Sequence, residues 1–176
     1  RSGWSPMNAV EAGMGQETQL VVFSLYGEEF GIEITQVREI IKPREITRLP
    51  HTPDFIKGVT NIRGEVIPVI DLRQRFGVEA ATTDQDSRII ITELNNSRVG
   101  FIVDSVAEVL RIPRTSIEPP PRTIAGLRAN YIQGIGRVDE RLLIVLDVTQ
   151  ILTSEEQISL EPKKLSEQLS QLEEQA

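Results

Sequence analysis

Six short segments rich in Val, Ile and Phe carry the apolar pattern of the chain: "LVVFSL" (20–25), "EFGIEI" (29–34), "EVIPVI" (65–70), "RIIITEL" (88–94), "RVGFIV" (98–103) and "RLLIVL" (141–146). Their length and β-branched content predict strands. Tyr26-Gly27, Arg63-Gly64, Asn95-Asn96-Ser97 and Asp139-Glu140 stand beside them as turn signals, each flanking a hairpin. Many short strands with few helical patterns predict an all-β chain, arranged as barrels or a sandwich. A different period begins behind Pro162, where Leu165, Leu169 and Leu172 stand at i, i+4 and i+7. It predicts an amphipathic helix over 162–174, whose leucines either dock on the main body or receive a partner.

The pattern repeats. "FIKGVTNIRGEVIPVIDLRQRF" (55–76) lies without a gap on "YIQGIGRVDERLLIVLDVTQIL" (131–152), at an offset of 76 residues. Ile56/Ile132, Gly58/Gly134, Val69/Val145, Asp71/Asp147 and Gln74/Gln150 are identical pairs. Upstream, "FGIEITQVREII" (30–41) lies on "VGFIVDSVAEVL" (99–110) at an offset of 69, matching Gly31/Gly100, Val37/Val106 and Glu39/Glu108. Two copies are too few for a solenoid, so a pair of related small barrels is expected, residues 17–80 and 85–154. A barrel of this size is marginal alone. Two of them sharing a third apolar layer are not, and the edge of that layer leaves a groove, a favoured place for binding.

Composition narrows the function classes. The chain has 176 residues, 39% of them apolar, with a net charge of −7. The sequence pI near 4.9 argues against a nucleic-acid binder and against a basic membrane-surface binder. No cysteine is present, so there is neither a disulfide framework nor thiolate chemistry. No apolar stretch approaches the roughly 20 residues of a membrane span. With no signal pattern at the start, the expected compartment is the cytoplasm. Residues 1–16 read as a disordered tail that begins with a vector-derived scar, and 155–176 as the C-terminal helical segment.

Candidate chemistry is sparse. His51 is the single histidine and no ligand set surrounds it, so no metal is expected. Asp71 and Asp147 recur after strands and before short helical turns, and fit helix N-caps better than a paired acid/base site. No phosphate loop or nucleophile elbow is found. Neither catalysis nor a cofactor is expected. Gly58, repeated as Gly134, reads as a strand glycine permitting close backbone approach. Arg63 sits at a hairpin tip beside Gly64, which is expected to take positive φ. Arg63 is either a solvated turn charge or a contact residue, and Asn61 is placed to point to its side.

The run "FIKGVTNIRGEVIPVIDLRQRFG", preceded by "YGEEFGIEITQVREI" and "TRLPHTPDF", resembles the chemotaxis coupling protein family, CheW, over about residues 18 to 154. The resemblance implies two five-stranded SH3-like barrels packed on each other. It implies a non-enzymatic adaptor joining chemoreceptor tips to the regulatory domain of the histidine kinase CheA, held at receptor arrays through these partners. It points to Arg63 for receptor coupling and to Glu39 and Val37 for partner binding, and Asn61, two residues before Arg63 on its strand, joins them as a receptor-binding candidate. The aliphatics Ile34, Val37, Ile89 and Val103 are expected to line the receptor-binding groove between the barrels. Gly58, Val37, Glu118 and Arg122 are candidates for kinase contact or structure. The second copy has Ile144 where the first has Pro68, and no glycine in its 139–140 turn, so it is not expected to duplicate the Arg63 surface. The alternatives are the coupling half of a fusion with a receiver domain, and a small β-barrel enzyme or ligand-binding protein.

Overall fold

A computed structural model describes residues 16–79, 83–94, 96–120, 131–152, 156, 160, 165–167 and 169–171. Among the described residues eleven strands appear in chain order: β1 (Glu17–Leu25), β2 (Glu28–Glu33), β3 (Val37–Ile41), β4 (Ile56–Ile62), β5 (Glu65–Asp71), β6 (Arg88–Leu94), β7 (Ser97–Val103), β8 (Ser105–Pro113), β9 (Ile117–Glu118), β10 (Ile132–Val138) and β11 (Arg141–Leu146). One helical turn, α1 (Leu72–Arg75), follows β5.

The strands form two barrel-like sheets, ordered β8-β1-β2-β11-β10-β9 and β3-β6-β7-β5-β4. The expected division into one barrel per sequence half does not hold. Each half lends its first hairpin to the other sheet: β1–β2 joins β8–β11, and β6–β7 joins β3–β5. The exchange is sealed by two parallel pairings, β11 with β2 (Ile144↔Phe30, Val145↔Gly31) and β5 with β7 (Val69↔Gly100, Ile70↔Phe101). Gly31 and Gly100, matched in the repeat, lie at these joins. A Cβ on Gly100 would stand 2.8 Å from Ile89 Cγ2, and one on Gly31 3.3 Å from Leu20 Cδ1. The strand count also departs from five and five, because the two-residue β9 adds a sixth to the first sheet. Its counterpart in the second sheet is the single bridge Thr47↔Val59.

Strands buried on both faces explain the continuous apolar runs. On β1, Leu20 and Val22 fill the first barrel with Ile112, Leu143 and Val145, while Val21, Phe23 and Leu25 face the layer shared with the other sheet. On β6, Ile89 and Ile91 fill the second barrel while Ile90 joins the shared layer. The period of two thus distributes side chains to three apolar layers, the shared layer being the largest cluster. Stacked aromatics run through it: Phe23–Phe30, Phe30–Phe76 and Phe76–Tyr131, with centroids 5.6 to 6.0 Å apart.

The C-terminal leucines dock. Leu160 and Leu165 are buried in the shared layer and Leu169 packs against it. Residues 165–167 and 169–171 are helical, while Pro162 and Leu172 lie outside the described residues, as does the expected tail before Gln16. Arg75 holds the start of this segment: its Nε donates to the Ile151 carbonyl (2.8 Å), and its guanidinium pairs with Glu156 (3.0 Å) over the Phe55 ring.

Candidate functional site

The β4–β5 hairpin turns on two residues, and both are left-handed: Arg63 at φ +51° and Gly64 at φ +85°. Two consecutive positive φ angles match the tight turn that suits the twist of paired strands. The Asn61 side chain closes it, its Oδ1 accepting from the Gly64 N–H at 2.9 Å. Gly64 takes this conformation freely, but a long side chain does so at a cost, since Asn and Asp are the non-glycine residues that tolerate it best. Asn96 and Asp139 occupy left-handed positions at two other hairpin tips, and Tyr26, followed by Gly27, does so at the β1–β2 tip. Arg63 is an uncommon residue type for that backbone, and its side chain is 69% exposed.

Both terminal nitrogens of Arg63 donate to the carboxylate of Glu39 on β3. Those hydrogen bonds, foremost, hold the Glu39 carboxyl below the usual carboxylate range, with Arg98 and Arg38 adding to the effect; Glu39 in turn strengthens the hold of Arg63 on its proton. The pair spans an opening in the fold. β3 and β4 are the two edges of the five-stranded sheet, so a hairpin tip at one edge is tied to the strand at the other.

Further ion pairs continue around the same rim. Arg38 on β3 meets Glu93 on β6 at 3.8 Å, Glu93 meets Arg98 on β7 at 3.7 Å, and Arg98 meets Glu65 on β5 at 2.8 Å. Glu65 also acts electrostatically on Arg63. Arg38, Glu93, Arg98, Glu65, Arg63 and Glu39 therefore make a belt of alternating charge around one end of the second barrel. The sequence reading found Arg63 and Glu39 but missed the other four. They become neighbours only through strand register, which pairs Glu93 with Arg98 across β6 and β7.

The remaining candidates disperse. Val37 and Ile34 are half-buried and pack on the shared layer. Ile34 also borders an open depression of about 420 Å³ with Glu17, Thr18, Thr35, Arg111 and Arg114, a mixed lining of polar and apolar surface where an aliphatic groove was expected. Ile89 and Val103 are corrections: at 0% and 1% exposed, they fill the second barrel and the shared layer and offer nothing to a partner. Gly58 is held by its backbone: at φ +144°, a Cβ there would fall 2.1 Å from the Thr47 carbonyl oxygen. Gly134 is likewise confined, its Cβ position lying 2.6 Å from Ile117 Cγ2 and 2.7 Å from the Glu118 oxygen. Glu118 is exposed, pairs with Arg137 at 2.8 Å, and borders an open groove of about 570 Å³ whose apolar side is Pro119, Ile135, Leu142 and Ile144. Arg122 lies outside the described residues.

Asp71 and Asp147 act as caps. Asp71 accepts from the Arg73 N–H at 2.9 Å, and Asp147 from the Thr149 N–H at 3.0 Å. Among the described residues no group of three or more His, Asp or Glu side chains is arranged to hold a metal ion, and no helix is long and apolar enough to cross a membrane.

Residues 19–156 match the family model for the CheW-like domain. The chain belongs to the CheW family of chemotaxis proteins. It is 41% identical over 143 residues to a chemotaxis protein CheW of Klebsiella aerogenes, a match covering 81% of this chain and 85% of that protein. It is 39% identical over 134 residues to a chemotaxis protein CheW of Helicobacter pylori, covering 76% and 81%. Among solved structures it resembles the scaffolding protein TtCheW of Thermoanaerobacter tengcongensis, with a TM-score of 0.75, 40% identity, and coverage of 80% of this chain and 97% of that one. With this membership the two barrel-like sheets are the frame of a chemotaxis adaptor.

Proposed function

We propose that this chain couples the cytoplasmic tip of a chemoreceptor to the regulatory domain of the histidine kinase CheA, without catalysing a reaction itself. The Arg63 hairpin is the receptor-facing element. One observation carries this assignment: a long cationic side chain occupies a left-handed turn position that disfavours it, and stays largely exposed while paired with Glu39. Backbone strain held at an exposed tip is the kind retained for binding rather than for folding. A guanidinium there reaches carboxylates or carbonyls on a helical partner with directional hydrogen bonds. Asn61 shapes the turn, and Val37 and Ile34 are partly exposed apolar candidates away from the tip. Kinase contact falls elsewhere, on hairpins and strand ends such as that bearing Glu118, so one chain holds both partners in a fixed relation and passes on changes in one to the other. The protein is then cytoplasmic and resides at receptor arrays through its partners.

The test is reconstitution. Receptor-bearing vesicles and the kinase are mixed with and without the protein, and autophosphorylation is measured. Coupling requires kinase activity to depend on both receptor and adaptor. Activity indifferent to the protein removes the proposal.

A further inference from the structure

Among the described residues the chain passes between the two sheets at two places. It goes from β2 to β3 through the short helical turn Ile34–Gln36, and from β7 to β8 through the single residue Asp104. The repeat matches these crossings, since 104 − 35 = 69 lays Asp104 on Thr35. They lie at opposite ends of β1. Thr18, near its start, donates from Oγ1 to Glu33 beside the first crossing at 3.4 Å, and Ser24, near its end, accepts from the Asp104 N–H at 3.0 Å. An extended strand covers about 20 Å between those two positions. We propose that Asp104 is the fixed pivot of a joint between the two barrels, and that the crossing at Thr35 is its moving side.

The two crossings are fastened unequally. The Asp104 carboxylate accepts from Arg73 Nε and Nη2, each at 2.9 Å, and from the Tyr26 N–H at 2.8 Å. One residue thus ties α1, which follows β5 of the second sheet, to the β1–β2 tip of the first. A two-pronged arginine–carboxylate pair is directional as well as strong. At the other crossing Thr35 is exposed, and the contacts of neighbouring Glu33, with Thr18 and Arg114, stay on the side of the first sheet. Gln36 Oε1 is buried there without a hydrogen-bond partner, and the depression of about 420 Å³ opens beside Ile34 and Thr35. The residue matched to Arg73 is Thr149, since 149 − 73 = 76, and it brings no guanidinium. A further polar tie between the sheets, from Arg75 Nε to the Ile151 carbonyl, starts again from α1.

Elsewhere the barrels meet through the apolar shared layer. Apolar contact is non-directional, and packed layers of this kind slide by small amounts. Directional ties set where sliding stops. With the ties gathered on α1, displacement is least at Asp104 and grows toward Thr35. Ile34 and Val37 flank that moving side, so a partner seated on them bears on the joint. The pivot is a property of the chain alone and holds whichever partner binds.

The test measures distances between nitroxide labels by pulsed electron spin resonance, on introduced cysteines in a chain that has none of its own. Ile40→Cys with Thr115→Cys spans the sheets on the Thr35 side, and Asp86→Cys with Glu28→Cys spans them on the Asp104 side; all four positions are exposed. The first pair is expected to give the broader distance distribution. Arg73→Gln is expected to broaden the second, with melting followed to show that the protein stays folded. Thr35→Asp with Thr149→Arg moves the pin. The parallel pairing of β11 with β2 brings the turn Val148–Gln150 beside the end of β2, as that of β5 with β7 brings α1 beside Asp104. This double variant is expected to narrow the first distribution to the width of the second. Equal widths in the otherwise unaltered chain, or a broader distribution on the Asp104 side, overturn the proposal. So does a folded Arg73→Gln protein with the second distribution unchanged, or a folded Thr35→Asp, Thr149→Arg protein whose first distribution stays broad. If Arg73→Gln does not fold, the two widths in the unaltered chain and the moved pin decide.

Discussion

The two barrel ends were built from one repeated pattern and finished differently. The 69-residue offset carries Arg38, Glu39, Glu93 and Arg98 onto Ala107, Glu108, Ser24 and Glu29, and the 76-residue offset carries Arg63 and Glu65 onto Asp139 and Arg141. Three arginines alternate with three glutamates at one rim. At the other, one arginine serves two glutamates: Arg141 meets Glu29 at 2.6 Å and Glu108 at 3.1 Å. The glutamate on the edge strand is kept in both, but its partner changes place, from the hairpin tip to the first residue of β11. That arginine is 36% exposed, against 69% for Arg63, and the vacated tip holds Asp139, a residue suited to its positive φ. The second tip carries a residue suited to its turn, and the first does not. Identical positions inside the barrels, and divergent ones on the rims, separate what the fold needs from what each surface does.

The severest way to break this comparison is at the matched glycines, where the halves should still behave alike. Gly58→Ala and Gly134→Ala both push a Cβ into backbone or packed side-chain atoms, and Gly58 adds an unfavourable φ. Each is expected to destabilise by roughly 3 kcal/mol or more, Gly58→Ala the more strongly, by denaturant unfolding. Loss of binding in these variants would then be indirect. Stable, folded variants at either position would show that the glycines are not there for space.

The arginines should part company. Arg141→Ala strands two glutamates beside each other, so it should lower the melting temperature while leaving receptor co-sedimentation in place. Arg63→Glu puts a negative charge beside Glu39 and toward the partner; receptor binding should be lost while kinase binding in solution persists. Equal behaviour of the two substitutions would erase the functional difference between the rims.

Acid should affect the rims together. Glu39 and Glu29 are both held below the usual carboxylate range, chiefly by hydrogen bonds from Arg63 and Arg141. A carboxyl lowered in the folded state contributes stability that is present above its unfolded value and lost as pH falls through its folded value. A fall in melting temperature below the ordinary carboxylate range should therefore shrink in both Glu39→Gln and Glu29→Gln. Asp71 works the other way. Burial raises its value, against bonds from the α1 backbone and Lys57, so its ionised form is disfavoured in the fold and stability declines as pH rises through its folded value. Asp71→Asn should remove that decline and keep the cap, changing stability by about 1 kcal/mol or less at neutral pH, the smallest effect of the set.

The sequence pattern made the strands and the three-layer core legible because β-branched runs and turn residues are local signals. "EVIPVI" and "RIIITEL" became β5 and β6 with little adjustment. β3 and β8 were harder to see: they are edge strands with exposed, charged positions such as Arg38, Glu108 and Arg111, and lack the apolar run. Which strands pair was not legible at all, since a hairpin reads the same whether it stays with its own half or crosses to the other. That explains the mistaken division into halves. It also bears on Ile89 and Val103, which were placed on a surface although strands buried on both faces leave their aliphatics none. Arg63 was legible as a turn residue of unusual type. Its tie to Glu39 was not, because 24 residues separate them and the barrel brings them together.

The most direct test of the proposal that this rim faces the receptor is kinase autophosphorylation on receptor vesicles, reconstituted with the wild-type protein and with Arg63→Glu at equal concentration. Receptor-dependent activation with the wild type, and its loss with a folded Arg63→Glu that still binds the kinase, is the expected result. Full activation by Arg63→Glu would contradict it and leave this arginine as no more than a solvated charge on a hairpin.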